Sequence, residues 1–448
     1  MIPEYLKYIL PTTLTFTLAG VYGIIDGIFV GHAVGDAGLA GINVAYPLVC
    51  FILAVGTGLG MGGGVISSIA RGRGDAQRSK RVIGVTLFML VVASLPILAL
   101  YSLFAEQLCR ALGGQGETLS QAVYYLKVIA FGAPFQVLVT GCTPLIRNKG
   151  MVAFAMCVQV FAGLVNVALD YLFVVVWGRG TAGAAEATVV AQIVAFLFVL
   201  GFFLHRDNRV PLRDLVPDGA ICAHIVKLGA APFGLTLLPE VSTVVNNVSL
   251  SYYGGETALA AYAAIAYVAY FVQIVIQSVG DGSQPLISVY RGAGDLRAVR
   301  RLRNTNYVVA IALGFVGLGV VYVVRRAIPV LFGASDIATP VIEYALPVFS
   351  ICDIFYGFTH TTTSFFYAVD DSRSSNMLVV AEAVTVCVVV FVMGRLFKVD
   401  GIWFSPTVLQ MLLSILAGAL LYRRHKARKE RAERMREEKR RSMMIRRY

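Results

Sequence analysis

The chain has 448 residues, of which 57% are hydrophobic and only 14% charged, with a formal net charge of +12. Soluble domains carry about a quarter charged residues, so this composition excludes a soluble protein and indicates a polytopic membrane protein. The seven cysteines (Cys50, Cys109, Cys142, Cys157, Cys222, Cys352 and Cys387) are scattered, with no C-x-x-C and no histidine at ligand spacing. That pattern argues against a disulfide frame or a metal site.

From the N-terminus, "MIPEYLKYILP" runs straight into apolar sequence with no small-residue cleavage site, so no cleavable signal is expected. A helix needs about 20 apolar residues to cross a bilayer. Twelve such segments follow, near 8–32, 40–70, 82–104, 119–146, 152–177, 183–204, 226–253, 257–290, 305–323, 339–369, 375–397 and 402–422. Pro11 lies in the first. It removes a backbone hydrogen bond and permits a bend, unless it only closes an interfacial turn made by residues 1–10. All but seven of the 38 Lys and Arg fall on the side of the termini and of the loops after even-numbered spans. The seven are Arg110, Lys127, Arg179, Arg325, Arg326, Arg395 and Lys398. The positive-inside rule therefore places both termini in the cytoplasm of an inner-membrane protein.

"RGRGD" at 71–75 recurs as "RGAGD" at 291–295, an offset of 220, and 12 of 41 positions agree between 35–75 and 255–295. This is an internal repeat; beyond the third helix of each half the identity fades. Six spans per half make the repeat parallel, the plan of an alternating-access transporter. The expected organisation is an N-terminal lobe over 1–204, a cytoplasmic linker over 205–225, a C-terminal lobe over 226–422 and a basic tail over 423–448. The tail has 13 basic and four acidic residues. Contact with anionic lipid and simple solvation suit it equally, and nothing else in the chain supports nucleic-acid binding.

Ionisable residues inside a membrane are costly and mark function. Asp26, in "GVYGIIDGIFVG", and Asp170, in "NVALDYLF", each lie about 18 residues into outward-running helices, in the outer half. Asn166 shares a face with Asp170, and Thr188 enters the next helix at similar depth. Two carboxylates, an amide and a hydroxyl suit Na⁺; two carboxylates equally hold a proton. Their repeat positions are neutral, Asn246 for Asp26 and Val390 for Asp170. The C-terminal lobe offers a second set, Glu240 and Asp353 near mid-bilayer, with His360 further down the same helix as Asp353. Asp281 and Glu382, deeper still, read first as structural partners.

These features together resemble the multidrug and toxic compound extrusion (MATE) family. The resemblance rests on twelve spans in two lobes, "DGIFVGHAVGDAGLAGINVAYP" (26–47), the "RGRGD" echo and "NVALDYLF". It implies an all-α, V-shaped exporter of amphipathic, often cationic drugs, driven by inward H⁺ or Na⁺. Asp26, Asn166, Asp170 and Thr188 match the ion site of one branch of the family, and Pro11 its bending proline. Glu240 and Asp353 are similar to the other branch's acids. No cofactor beyond the coupling ion is implied, and a monomer is expected. The nearest alternative is a flippase for a lipid-linked precursor, which would want Arg or Lys in its cavity. A passive cation channel also suits intramembrane acids. A membrane enzyme would need a nucleophile–base pair or a motif such as H-E-x-x-H, and neither is present.

Overall fold

The computed structural model describes residues 2–445, with all side chains among them except those of 22–37, 39, 428, 429 and 431–448. Asp26 falls in that exception, so its side chain lies outside the described residues. The elements are α1 (Ile2–Gly72), α2 (Ala76–Ala111), α3 (Gly116–Asn148), α4 (Val152–Asp170), a π-turn (Tyr171–Val176) and α5 (Gly180–Leu204). A short 3-10 turn (Leu212–Asp214) leads to α6 (Gly219–Gly292), α7 (Leu296–Val324), α8 (Ile328–Leu331), α9 (Ala338–Ser350), α10 (Cys352–Ala368) and α11 (Ser372–Ile445). The described residues include no strand. In hydrocarbon only a helix satisfies its own backbone within one segment, which is why uninterrupted apolar runs fold this way.

Twelve predicted spans become fewer continuous helices. α1, α6 and α11 each carry two of them, while the span at 339–369 is divided between α9 and α10 at Ile351. Two of the long helices are kinked at single residues. Gly255 (φ 64°, ψ −159°) divides α6 and Lys398 (φ 52°, ψ −132°) divides α11. α6 also begins before its predicted start at 226. Asp218 caps it, accepting the Ala220 and Ile221 N–H groups at 3.0 and 3.1 Å, a capping signal that hydropathy does not register. The segment before it is tied down, since Arg81 donates to the Arg213 carbonyl.

The repeat is clearer in the backbone than in the residues. Left-handed residues recur at the 220 offset as Gly74 and Gly294, Gly113 and Gly333, Gly150 and Asp370, Gly178 and Lys398. "RGRGD" and "RGAGD" are one device used twice. A left-handed glycine ends one helix, and Asp75 or Asp295 caps the next by accepting from Arg78, or from Arg297 and Ala298.

Each lobe has its own apolar core, around Leu90, Tyr101 and Leu126 in one and Leu250, Leu346 and Trp403 in the other. The lobes meet at the end that carries the basic loops. There α1 lies on α6 so closely that a Cβ at Gly72 would stand 2.1 Å from the Val289 carbonyl, and one at Gly292 2.1 Å from that of Ile69. Gly62 meets Ile225, and Gly58 meets Gly229. The first residues of α1 also belong to this closure. Tyr5 and Ile9 are buried with Leu286, Ile287 and Phe366, so residues 2–10 form a packed helix and not an interfacial turn. The result is two six-helix lobes in a V around a central cavity.

Candidate functional site

In the N-terminal lobe α4 is apolar apart from Gln159 in its middle and Asn166 and Asp170 near its end, the last two both buried, Asp170 completely. A spacing of four stacks them on one face. Directly after Asp170 the helix widens into the π-turn, whose last bond runs from the Trp177 N–H to the Leu172 carbonyl at 2.9 Å. Such bulges redirect side chains and are frequent at functional sites.

The register of α4 against antiparallel α5 follows from three contacts. Phe154 stacks on Phe202 at 5.1 Å, Phe161 meets Phe198 edge-on at 5.3 Å, and Gly183 lies on the Phe173 backbone. These set Asp170 level with Thr188 and Asn166 level with Gln192. Thr188 is half-buried on a stripe with Ala184 and Ala191. The register therefore puts Asn166, Asp170 and Thr188 at one level of the α4–α5 pair. It adds Gln192, whose buried Oε1 has no hydrogen-bond partner among the described residues. Both amide atoms of Asn166 are in the same position. A buried unpaired amide costs about 1–3 kcal/mol, so this layer has polar valences left for a further partner. The signal for Gln192 was available: Thr188-x-x-x-Gln192 repeats the Asn166-x-x-x-Asp170 spacing on the facing helix.

Pro11 lies inside a continuous α1, and its carbonyl accepts from Thr15 Oγ1 at 2.8 Å. A cleft of about 420 Å³ lies beside it, between Leu6, Leu10 and residues 150–154.

In the C-terminal lobe the three predicted residues do not form one site. Asp353 is fully buried; its Oδ1 accepts from Gln273 at 3.3 Å, and Oδ2 has no partner among the described residues. Glu240 sits apart, facing the other lobe with Cys50, Tyr46 and Tyr270 alongside. His360 bonds Tyr356 through Nδ1 at 3.2 Å. Sequence reading missed the amides that hold individual acids of this lobe. Gln410 donates to Glu382 at 3.0 Å and accepts from Thr359 at 2.6 Å, while Gln273 holds Asp353. Among the described residues no three His, Cys, Asp or Glu side chains converge as a metal centre would require.

Comparison with known proteins agrees with this architecture. The MatE family profile matches residues 11–172 and again 235–393. The multidrug export protein MepA of Staphylococcus saprophyticus is 23% identical over 419 residues, spanning 93% of this chain and 92% of its own. A crystal structure of MATE in complex with MaL6 superposes with a TM-score of 0.90 at 20% identity, covering 95% of this chain and 97% of that one. An outward-facing multidrug resistance MATE transporter of the MOP superfamily gives 0.89 at 19% identity, covering 95% and 96%.

Proposed function

The chain belongs to the MatE family, and on that premise we propose that it is a secondary active multidrug efflux transporter, exporting amphipathic, often cationic compounds in antiport with H⁺ or Na⁺. It is a transporter and not an enzyme. The coupling ion binds in the N-terminal lobe, at Asp26, Asn166, Asp170 and Thr188. The observation that carries this reading is the buried face of α4. Asn166, its amide unpaired among the described residues, lies on it beside Asp170, level with Thr188 and Gln192 on α5. Cations of either kind satisfy such a layer, Na⁺ through its oxygens and H⁺ through its carboxylates. Export from the cell sets the terminus-bearing end in the cytoplasm, which accords with the placement of the basic loops. The lobes close at that end, so the state described opens outward. The basic tail is then positioned to meet anionic lipid of the inner leaflet.

The test is efflux of a fluorescent cation from proteoliposomes under separately imposed H⁺ and Na⁺ gradients. One of the two gradients drives efflux, and Asp26→Asn and Asp170→Asn each abolish it while the protein still inserts. Normal efflux by both variants would sink the N-lobe assignment, and efflux with all gradients collapsed would make the protein a facilitator.

A further inference from the structure

The two lobes treat the same stretch of helix differently at the end that carries the basic loops. In the N-terminal lobe the linker lies on α2. Its 3-10 turn packs there, Arg81 donates to the Arg213 carbonyl, and a Cβ at Gly84 would stand 2.2 Å from the Asp214 carbonyl. Val85, the next residue, is wholly buried. At the 220 offset Arg81, Gly84 and Val85 become Arg301, Asn304 and Thr305 of α7, and all three are exposed. By the same repeat, the segment placed to cover them is the one that follows α11, as the linker follows α5. That segment does not fold back. Beyond its break at Lys398, α11 runs on as helix to Ile445, and α7 packs mainly on α6, α9 and α10.

The uncovered place on α7 is a cleft of about 480 Å³, lined by Arg301, Asn304, Thr305, Val308 and Val309. One wall is basic and polar. Arg303 lies over the Tyr307 and Phe365 rings at 5.9 and 5.5 Å, and donates to Asn304 Oδ1 from Nε and Nη2 at 3.2 and 2.9 Å. With Oδ1 engaged, the Asn304 amide has its Nδ2 donors to offer, beside the Thr305 hydroxyl. Arg301 has no ion-pair partner among the described residues. Arg297, Arg300, Arg301 and Arg303 crowd the start of the helix, and no acid occurs anywhere from 296 to 326. The other wall is apolar. Val308 is 70% exposed, and Ala312, Phe315, Gly319 and Val323 continue the same exposed face. From Arg301 to Val323 the helix rises about 33 Å, close to the thickness of a hydrocarbon core. The cleft therefore sits where hydrocarbon gives way to headgroups.

We propose that this cleft on α7 binds the headgroup of an anionic phospholipid from the leaflet on that side. The Arg301 guanidinium holds the phosphate, Asn304 Nδ2 and the Thr305 hydroxyl donate to it, and the acyl chains run down the face that begins at Val308. Charge decides the occupant. The tail after α11 has 13 basic and four acidic residues, so it is repelled by a cleft of arginines, whereas an anionic lipid is drawn to both. Bound there, the lipid does for α7 what the linker does for α2: it satisfies the basic start of the helix and covers the residues beside it. The site belongs to the C-terminal lobe alone, because the linker fills its counterpart. The inference stands apart from the exporter reading and needs only the membrane setting of α7.

The experiment attaches a bimane fluorophore at Ala312→Cys, an exposed position below the cleft. The full chain is held in phosphatidylcholine nanodiscs, with its native cysteines replaced. Lipid carrying a nitroxide on its acyl chain is titrated in, either as phosphatidylglycerol or as phosphatidylcholine, and quenching is read against its fraction. Phosphatidylglycerol reaches half-maximal quenching at about fivefold lower fraction than phosphatidylcholine. Arg301→Gln combined with Thr305→Val, both exposed, brings the two curves together. Bimane at Val92→Cys, the exposed repeat counterpart on α2, does not distinguish the lipids. Equal curves at Ala312→Cys, a preference that survives the double variant, or the same preference at Val92→Cys overturns the proposal. A preference that appears only once residues 428–448 are removed makes the tail the occupant, and quenching relieved by millimolar inorganic phosphate makes the cleft a site for a soluble anion. Either result also overturns it. Loss of the exporter reading would leave these curves unchanged, since no drug or ion gradient enters the measurement.

Discussion

At the scale of single residues, the lobes are fastened by a reciprocal amide pair. Asn148 Nδ2 donates to Gln284 Oε1 at 3.1 Å, and Gln284 Nε2 returns a bond to Asn148 Oδ1 at 3.2 Å. Ser68 adds a third bond at 2.6 Å, and Gln284 is wholly buried. At the repeat offset Gln284 corresponds to Gly64, and Gly64 is the very residue whose missing Cβ makes room for Asn148. One copy of the repeat thus supplies the space and the other the partner. Gln284→Leu leaves Asn148 short of a bond in a buried interface and is expected to cost about 1–3 kcal/mol, read as a lower melting temperature in detergent. Gln284→Leu combined with Asn148→Leu should recover part of that loss, because neither partner is then stranded. If the losses simply add, the pair is not coupled. The candidate ion layer makes the complementary prediction. Asn166→Ala and Thr188→Ala each remove one oxygen ligand and should raise the half-saturating ion concentration for efflux by about tenfold, or ~1.4 kcal/mol. Ion-dependence curves in vesicles check this, and unchanged curves would take both residues out of the site.

At the scale of elements, the turns preserve the duplication that the side chains have lost. Identity between the halves fades after the third helix, yet left-handed residues keep the 220 offset through Gly178 and Lys398. Backbone geometry is set by where a helix must stop, and many sequences satisfy it; side-chain identity is not so constrained. Lys398 is the exposed partner of a glycine, held at φ 52° and ψ −132°. That region is sparsely populated by residues with a Cβ, at a cost of about 1–3 kcal/mol. Lys398→Gly should therefore raise stability by about 1 kcal/mol, and thermal unfolding in detergent measures it; a destabilised variant would mean the lysine head makes a contact that offsets the strain. The same contrast explains what could be read from sequence. Hydropathy located the spans, and a spacing of four put Asn166 under Asp170. Continuity of α6 and α11 was invisible, because one positive φ angle leaves no hydropathic trace. Gln192, Gln273 and Gln410 were missed because their roles depend on register between helices, which no single helix encodes. Asp281 and Glu382 were expected to be structural partners, and Glu382 does sit in a bonded set with Gln410 and Thr359.

At the scale of the whole molecule, closure depends on backbones touching. A hydrogen bond can be remade after a small shift, but a glycine crossing admits no side chain at all. Gly229 and Gly58 cross so closely that a Cβ at Gly229 would stand 2.2 Å from the Gly58 carbonyl. The closed end is therefore built on residues without side chains, with polar partners, Asn148 with Gln284 and Asp281 with Tyr367, set among them. An alternating-access transporter needs its two states within a few kcal/mol of each other. Overpacking one crossing costs about 1–3 kcal/mol, enough to reverse the balance without unfolding either lobe, since each keeps its own core. Gly229→Leu should therefore open the terminus-bearing end permanently. Spin labels at Gln77→Cys and Arg297→Cys, exposed positions on the two lobes, would show a longer distance than in the parent, and drug efflux would fall because the outward-open state is no longer reached. Gly201→Leu is the control. Nothing lies within 4 Å of a Cβ at that position, so distances and efflux should match the parent. A Gly229→Leu variant with the parent's short distance would show that the crossing is not what holds the lobes together, and the burden of closure would pass to the polar pairs.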